Sequence, residues 1–167
     1  MKDKKYFEIE SEIVGYREEA DGIISCALNA KEIAGHICPG QFITVQIDFK
    51  SKPVKVLRRP FAISSVNNSN IEFIFNIAGA GTKILYDNIR SYEKLRYMGP
   101  LGNGFDTKNS DGNKLLIAGG IGIAPIKSLI QYFSSKRSGT TLIWGNKNFH
   151  QLLQELLLKK LICYYHN

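Results

Sequence analysis

The amino-acid sequence predicts an antiparallel β-barrel or sandwich of six strands, followed by the beginning of an α/β domain. Six short runs rich in β-branched and aromatic residues fall within the first hundred residues. A polar, glycine-containing stretch, FDTKNSDGNK at 105–114, then marks a change of pattern. Beyond it, an apolar run, a glycine-rich turn, a helical stretch and a second apolar run follow one another, which is typical of a βαβ unit with parallel strands.

Turn signals separate the six strands of the first part. The dipeptide DG at 21–22 and the stretch NNSN at 67–70 predict hairpin turns. One helical stretch, GTKILYDNI at 81–89, interrupts the strands. Short strands at this spacing are typical of small antiparallel barrels and sandwiches. The six runs are YFEIESEIVGY, GIISCALNA, QFITVQIDF, VLRRPFAISSV, IEFIFNIA and EKLRYMG.

Composition excludes several classes of protein. An apolar content of 44% in 167 residues is enough for a folded core. No run approaches the roughly 18–20 apolar residues that span a bilayer, and the start of the chain lacks the apolar segment of a signal peptide. We therefore expect no membrane association and a cytoplasmic protein. The net charge is +7, but the lysines are scattered, so we expect no nucleic-acid partner.

The stretch LLIAGGIGIAPI joins a buried strand to a helix through glycines. Gly119, Gly120 and Gly122 would let a phosphate approach the backbone, and Pro125 suits the first turn of a helix, whose N–H groups attract anions. Proline stands where the usual dinucleotide motif has its third glycine, and no acidic residue follows the second strand. A phosphate site and a tight turn without ligand both remain open.

Two further motifs have a phosphate interpretation beside a plain one. In GAGTKIL, Gly79 and Gly81 bracket a turn and Thr82 could cap the following helix, which suits either a phosphate or a surface helix. In VLRRPFAISSV, Arg58 and Arg59 point to opposite faces of a strand, and an arginine fork recognises phosphate. Pro60 beside them indicates an edge position or a bulge, so a charged, aggregation-resistant edge strand is the alternative.

Taken in order, LRRPFAIS, GAGTKIL, GPLGNGF and LIAGGIGIAPI resemble motifs of the ferredoxin–NADP reductase superfamily. Within it, the likeness is to the electron-transfer subunit of bacterial dihydroorotate dehydrogenase, over about residues 5–150. Related subunits of anaerobic sulfite reductase and of ferredoxin:NADP oxidoreductases look similar. The resemblance implies an FAD-binding six-stranded antiparallel barrel at 1–106, a linker at 107–113 and, at 114–149, the first part of an NAD(P)-binding α/β domain.

The resemblance also implies a set of binding residues. Arg59 would pair with the FAD pyrophosphate, and Phe61 would pack near the flavin ring. Ala62 occupies a position where the family usually has Ser or Thr, whose hydroxyl bonds the flavin near N5, and an alanine side chain cannot make that bond. Gly120 and Gly122 would hold the pyrophosphate of NAD(P)H. The implied FAD site consists of Arg59, Pro60, Phe61, Ala62, Ile63, Ser64, Gly79, Gly81 and Thr82.

The last part of the sequence departs from the family pattern. Only two parallel strands are predicted after the linker, so 114–149 is expected to be an incomplete domain. The leucine-rich tail at 150–167 is predicted to form an atypical amphipathic helix, whose apolar face could promote self-association. A frameshift or early stop would explain this departure. The chain has three cysteines and no four-cysteine [2Fe–2S] motif, so we expect no iron–sulfur cluster in it.

Two functions are compatible with these observations. The first is an FAD-binding oxidoreductase subunit that transfers electrons from NAD(P)H through flavin to a partner, either a dehydrogenase catalytic subunit or an iron–sulfur centre. The second is a truncated FAD-binding or partner-docking remnant without NAD(P)H reductase activity. An empty β-barrel interaction module would leave the four ordered motifs unexplained.

Overall fold

The chain folds into a closed six-stranded antiparallel barrel and a three-stranded parallel sheet. The computed structural model describes residues 7–47, 57–91, 93–108, 112–134, 139–146 and 160–165. The barrel order is β1-β2-β5-β4-β3-β6, and β6 closes it by pairing with β1. The predicted barrel is therefore confirmed. Its elements are β1 (Phe7–Ala20), β2 (Ile23–Asn29), β3 (Phe42–Ile47), β4 (Leu57–Asn67), β5 (Asn70–Asn76), α1 (Ala80–Ser91) and β6 (Lys94–Leu101).

Both predicted hairpin turns are present in the barrel. Gly22, between β1 and β2, has a φ of 69°, which glycine adopts without strain. Asn68, between β4 and β5, has a φ of 55°, and asparagine tolerates this region better than most residues. Strand β1 is long because it serves two neighbours. Its first half pairs with β6 and its second half pairs with β2.

Alternate residues of the strands fill the interior of the barrel, and α1 adds buried side chains to the same core. Phe61, Phe73 and Phe75 form a ring cluster whose centroids lie 5.2–5.9 Å apart. Leu85 of α1 is fully buried in the same core. Burial, with a smaller contribution from the negative charge of Glu72, raises the pKa of the Cys26 thiol to about 12. This cysteine is therefore an inert core residue at neutral pH.

The second unit is a parallel α/β arrangement, as predicted. It consists of β7 (Lys114–Gly119), a short 3-10 turn (Gly120–Gly122), α2 (Ile123–Ser134), β8 (Thr140–Asn146) and β9 (Lys160–Tyr165). The strand order is β7-β8-β9, and both pairings are parallel. The predicted linker at 107–113 lies between the two units, although 109–111 fall outside the described residues.

The prediction of a helical tail at 150–167 is wrong for residues 160–165. These residues form β9, which pairs with β8 in continuous register from Thr141↔Lys160 to Asn146↔Tyr165. The sequence LICYY is a short apolar run rich in aromatic residues, and periodicity alone cannot distinguish such a run from a buried helix. Pairing with the apolar strand β8 decides in favour of a strand, and the sheet has three strands rather than two. Residues 150–159, 166 and 167 lie outside the described residues, so the structure does not test self-association through their leucines.

The two units share an apolar core along the outer face of the barrel. Ile23 and Ile74 of the barrel pack in one buried cluster with Leu116, Ile123 and Trp144 of the α/β unit. Helix α2 lies along β4 in this contact. On the opposite face of the sheet, Leu115 and Ile117 of β7 are exposed. Among the described residues, no helix is long and apolar enough to cross a membrane.

A substitution at Leu85 tests whether α1 contributes to the core of the barrel. We expect Leu85→Ala to lower the free energy of unfolding by about 2–5 kcal/mol, since it leaves a cavity in a closed core. Urea unfolding followed by circular dichroism measures this change. Lys83→Ala, at an exposed position of the same helix, is the control and should change it by less than about 0.5 kcal/mol. Equal effects of both substitutions would show that α1 is not part of the core.

Candidate functional site

Two adjoining hollows lie on the barrel beside the start of α1. The first, called here the glycine hollow, has a volume of about 430 Å³ and is lined by Arg59, Pro60, Phe61, Ala78, Gly79, Ala80, Gly81 and Thr82. The second, called here the apolar cleft, has a volume of about 270 Å³ and is lined by Pro60, Phe61, Ala62, Ile74, Phe75, Asn76, Thr82, Ile121, Ala124 and Pro125. Pro60, Phe61 and Thr82 line both, so the two form one continuous groove.

The two adjacent arginines of β4 have different surroundings. The Arg58 guanidinium donates hydrogen bonds to the Glu8 carboxylate and, at 3.5 Å, to the amide oxygen of Gln46. Arg59 is exposed in the glycine hollow, and among the described residues it has no carboxylate partner. Arg58 therefore forms an ion pair with Glu8, whereas the guanidinium of Arg59 is accessible to a ligand in the glycine hollow.

Gly81 lets the Arg59 side chain lie directly on the first turn of α1. A Cβ atom added at Gly81 would lie 3.2 Å from Nε of Arg59, which is a tight contact. At Gly79, by contrast, an added Cβ would meet no atom within 4 Å. The close approach places a guanidinium beside the N–H groups at the helix start, which carry partial positive charge. Both groups attract anions.

Thr82 stabilises the start of α1, although from a different position than the sequence predicts. The helix begins at Ala80, so Thr82 lies inside its first turn. Its hydroxyl accepts hydrogen bonds from the N–H groups of Ala78 (3.0 Å) and Gly79 (3.2 Å) and donates one to the carbonyl oxygen of Gly79 (3.1 Å). The Thr82 hydroxyl is therefore fully engaged in holding the loop.

Pro60 lies in a half of β4 that pairs with one strand, β3, among the described residues. Strand β3 pairs with β4 from Leu57 to Ala62, whereas the pairs between β4 and β5 begin at Ile63. A break in register between Ile63 and Ser65 accompanies the change of neighbour. The position agrees with the edge or bulge that proline indicates, because the backbone on the β5 side of this half is open to the groove.

The apolar cleft is built from both units. The barrel contributes one wall through Ala62, Ile74 and Phe75, and the α/β unit contributes the other through Ile121, Ala124 and Pro125. Ala62 presents a methyl group and no hydroxyl. The resemblance implies that Phe61 packs near the flavin ring; in the structure Phe61 lines the groove, and its ring packs against Phe73 and Phe75.

Four of the predicted binding residues do not line the groove. Ile63 is buried in the barrel core, and the buried Ser64 hydroxyl donates to the carbonyl oxygen of Glu72 at 3.1 Å. Gly120 and Gly122 lie in the turn between β7 and α2, where the carbonyl oxygen of Gly120 accepts a hydrogen bond from the Trp144 indole at 3.1 Å. Ile121, between these two glycines, is the residue of the turn that reaches the cleft.

Seven predicted residues therefore share one groove, and sequence reasoning missed several others. The seven are Arg59, Pro60, Phe61, Ala62, Gly79, Gly81 and Thr82. The end of β5, through Ile74, Phe75 and Asn76, carried no motif. The sequence predicted that Pro125 lies at the start of a helix, but it did not predict that Pro125 lines the cleft. The second wall depends on how α2 docks on the barrel, which no local signal shows.

The groove fits a ligand that joins a diphosphate to a flat, largely apolar ring. The glycine hollow offers the exposed Arg59 guanidinium, a helix start and a glycine contact that a Cβ would crowd. The adjoining cleft offers a slot with apolar walls on both sides. The described residues contain no group of three or more His, Cys, Asp or Glu side chains that could hold a metal ion.

Comparison with known proteins agrees with this chemistry. Residues 116–165 match the family model of the oxidoreductase NAD-binding domain, a range that includes β9. The chain is 33% identical over 137 residues to the electron transfer subunit of dihydroorotate dehydrogenase B (NAD(+)) from Lysinibacillus sphaericus, covering 80% of this chain and 52% of that protein. The corresponding subunit from Fusobacterium nucleatum is 33% identical over 126 residues, covering 73% of this chain and 48% of that protein. The chain thus spans about half the length of the curated relatives that it matches.

Solved structures show the same fold. The FAD/NAD-binding domain of nitric oxide dioxygenase from Vibrio cholerae matches with a TM-score of 0.80 at 16% identity, covering 95% of this chain and 74% of that one. The ferredoxin reductase in carbazole 1,9a-dioxygenase matches with a TM-score of 0.75 at 19% identity, covering 98% of this chain and 51% of that one. The sequence relatives and these shared folds together confirm the resemblance read from the four ordered motifs.

Proposed function

We propose that this chain, whose fold is that of the ferredoxin reductase-like flavoproteins, is the FAD-binding part of an electron-transfer oxidoreductase subunit. It would take electrons from NAD(P)H and deliver them to a partner protein. The observation that carries the proposal is the exposed Arg59 guanidinium, which has no carboxylate partner among the described residues, lies against Gly81 at the start of α1 and opens onto a cleft with two apolar walls.

The chain's own residues would hold FAD in two parts. Arg59 and the N–H groups at the start of α1 would bind the diphosphate, and Thr82 would keep the loop in shape through its three backbone contacts. The apolar cleft would hold the isoalloxazine ring, and the apolar lining residues Ala62 and Pro125 would exclude water there. Bound FAD would supply the redox chemistry that side chains lack, accepting hydride from a nicotinamide and passing electrons onward.

Two features of the α/β unit support the proposal that NAD(P)H binds there and donates electrons. The match to the NAD-binding family model covers β8 and β9 as well as the glycine turn. The turn at Gly120 and Gly122 lies next to the apolar cleft, because Ile121 between them lines it. A dinucleotide bound at this turn could therefore extend its nicotinamide towards the ring in the cleft.

The names of the relatives indicate which protein could accept the electrons. The two relatives described above are electron transfer subunits of dihydroorotate dehydrogenase B (NAD(+)), which favours a dehydrogenase catalytic subunit as the acceptor. Ala62 favours a second function, an FAD-binding remnant that docks to a partner without reducing FAD. A methyl group cannot donate the hydrogen bond that a hydroxyl at this position would supply.

Absorbance spectroscopy tests the proposal in two steps. We expect the purified protein to be yellow, or to acquire flavin bands after incubation with FAD and removal of free FAD. We then expect NADH or NADPH, added without oxygen, to bleach the flavin band. A protein that stays colourless contradicts both functions. A yellow protein that no nicotinamide bleaches would favour the remnant.

The two arginines of β4 should differ in their effect on FAD binding. Arg59→Ala should weaken FAD binding by about 10-fold to 100-fold, since a charge-assisted contact contributes roughly 1.5–3 kcal/mol. Arg58→Ala should change it by less than about 3-fold, because Arg58 serves an ion pair with Glu8 at the surface. Fluorescence titration of the apoprotein with FAD measures both constants. Equal losses in the two variants would remove the special role given to Arg59.

Gly81 and Gly79 provide a matched pair of substitutions at the helix start. We expect Gly81→Ala to weaken FAD binding about 5-fold, since the added methyl displaces Arg59, and a loss of about 1 kcal/mol has this effect. Because Ala favours a helix over Gly by roughly 0.5–1 kcal/mol, the same variant should keep or raise its melting temperature. Gly79→Ala meets open space and should bind FAD as the wild type does. Unchanged affinity in Gly81→Ala would show that the contact with Arg59 is unimportant.

A further inference from the structure

A buried ion pair joins the two units next to the apolar cleft. The Lys127 ammonium of α2 lies 3.3 Å from both carboxylate oxygens of Glu72 on β5. The Ser65 hydroxyl donates a third hydrogen bond to Oε2 of Glu72 at 2.8 Å. The side chains of Lys127 and Glu72 are only 10% and 15% exposed. Neither side chain lines the glycine hollow or the apolar cleft.

The ion pair lies in the middle of the helix face that contacts the barrel. One turn earlier, Ala124 and Pro125 form a wall of the cleft. One turn later, the Gln131 side chain exchanges hydrogen bonds with the backbone of Val66, at 2.8 and 3.1 Å. Ser128, on the same face, accepts a hydrogen bond from the Gly40 N–H at 3.3 Å. These polar contacts and the apolar cluster that contains Ile74 and Ile123 together hold the wall against the barrel.

The energetics indicate that this pair contributes orientation more than stability. Removing two charges from water has a cost that their attraction offsets only in part, so apolar residues of similar size often replace a buried pair without loss of stability. Apolar contacts, however, are non-directional and let a helix slide or turn on its neighbour. A carboxylate that accepts from both an ammonium and a hydroxyl has a narrow range of geometries, and this range fixes α2 relative to β5.

We propose that the Lys127–Glu72 ion pair is a positioning device that sets the width of the apolar cleft for the flavin ring. The proposal rests on FAD as the ligand of the groove. Lys127 acts through the helix, because it holds Ala124 and Pro125 at a fixed separation from Ala62. Replacing the pair by apolar residues of similar volume should leave the protein folded while the cleft loses its fit to the ring.

The test compares two double variants that both leave the net charge unchanged. Lys127→Met with Glu72→Leu removes the buried pair, and Arg96→Met with Glu10→Leu removes an exposed pair whose atoms lie 3.5 Å apart, away from the cleft. We expect the first variant to keep its melting temperature within about 4 °C, which corresponds to roughly 1 kcal/mol. Its FAD affinity should fall about 10-fold, with a changed visible circular dichroism of the bound flavin. The second variant should match the wild type in affinity and spectrum.

A charge swap supplies the rescue experiment. Lys127→Glu with Glu72→Lys restores an ion pair of reversed direction and should recover FAD affinity to within about 3-fold of the wild type, a difference of under 1 kcal/mol. Wild-type affinity and spectrum in the apolar double variant would overturn the positioning role, and so would failure of that variant to fold, since the pair would then be needed for stability. A wild-type protein that binds no FAD would instead overturn the proposed function itself.

Discussion

The site depends on a single strand, β4, which changes neighbours along its length. Its first half pairs only with β3, and its second half pairs with β5 and is covered by α2. Because the first half is open on one side, Arg59 and Pro60 face a groove instead of a hydrogen-bonded strand. A β4 paired on both sides throughout would leave no place for the glycine hollow. The break in register at Ile63–Ser65 is where one half gives way to the other.

The α/β unit supplies the second wall of the groove that begins at β4. The apolar cluster that contains Ile74 and Trp144 brings α2 against the barrel, and polar contacts along one helix face fix its position. The anion-binding half of the groove belongs to the barrel alone, whereas the ring-binding half needs both units. A ligand that occupies both halves would therefore stabilise the docked arrangement, because it contacts each unit and binds the docked state more tightly.

The sequence predicts the features that depend on local chemistry. Turn residues located both hairpins, glycines located both helix starts, and the order of four motifs indicated the family and most of the groove. The features that it did not predict depend on contacts between distant parts of the chain. The ring of Phe61 turns inward because Phe73 and Phe75 of the neighbouring strand β5 pack against it, and the Ser64 hydroxyl donates a hydrogen bond to β5. Residues 160–165 form a strand because β8 offers an apolar, parallel partner, whereas their periodicity also suited a helix.

Hydrogen exchange of the apoprotein, with and without FAD, tests the central claim that one ligand bridges the barrel and the α/β unit. The account predicts slower exchange in three separate segments on adding FAD: 57–62 of β4, 78–85 at the start of α1, and 121–126 at the start of α2. Protection of all three is expected of a ligand that spans both units, because Arg59 and the start of α1 line the glycine hollow while Ala62 and Pro125 line the apolar cleft. Protection confined to the barrel segments, or the absence of any FAD-dependent protection, would contradict the account.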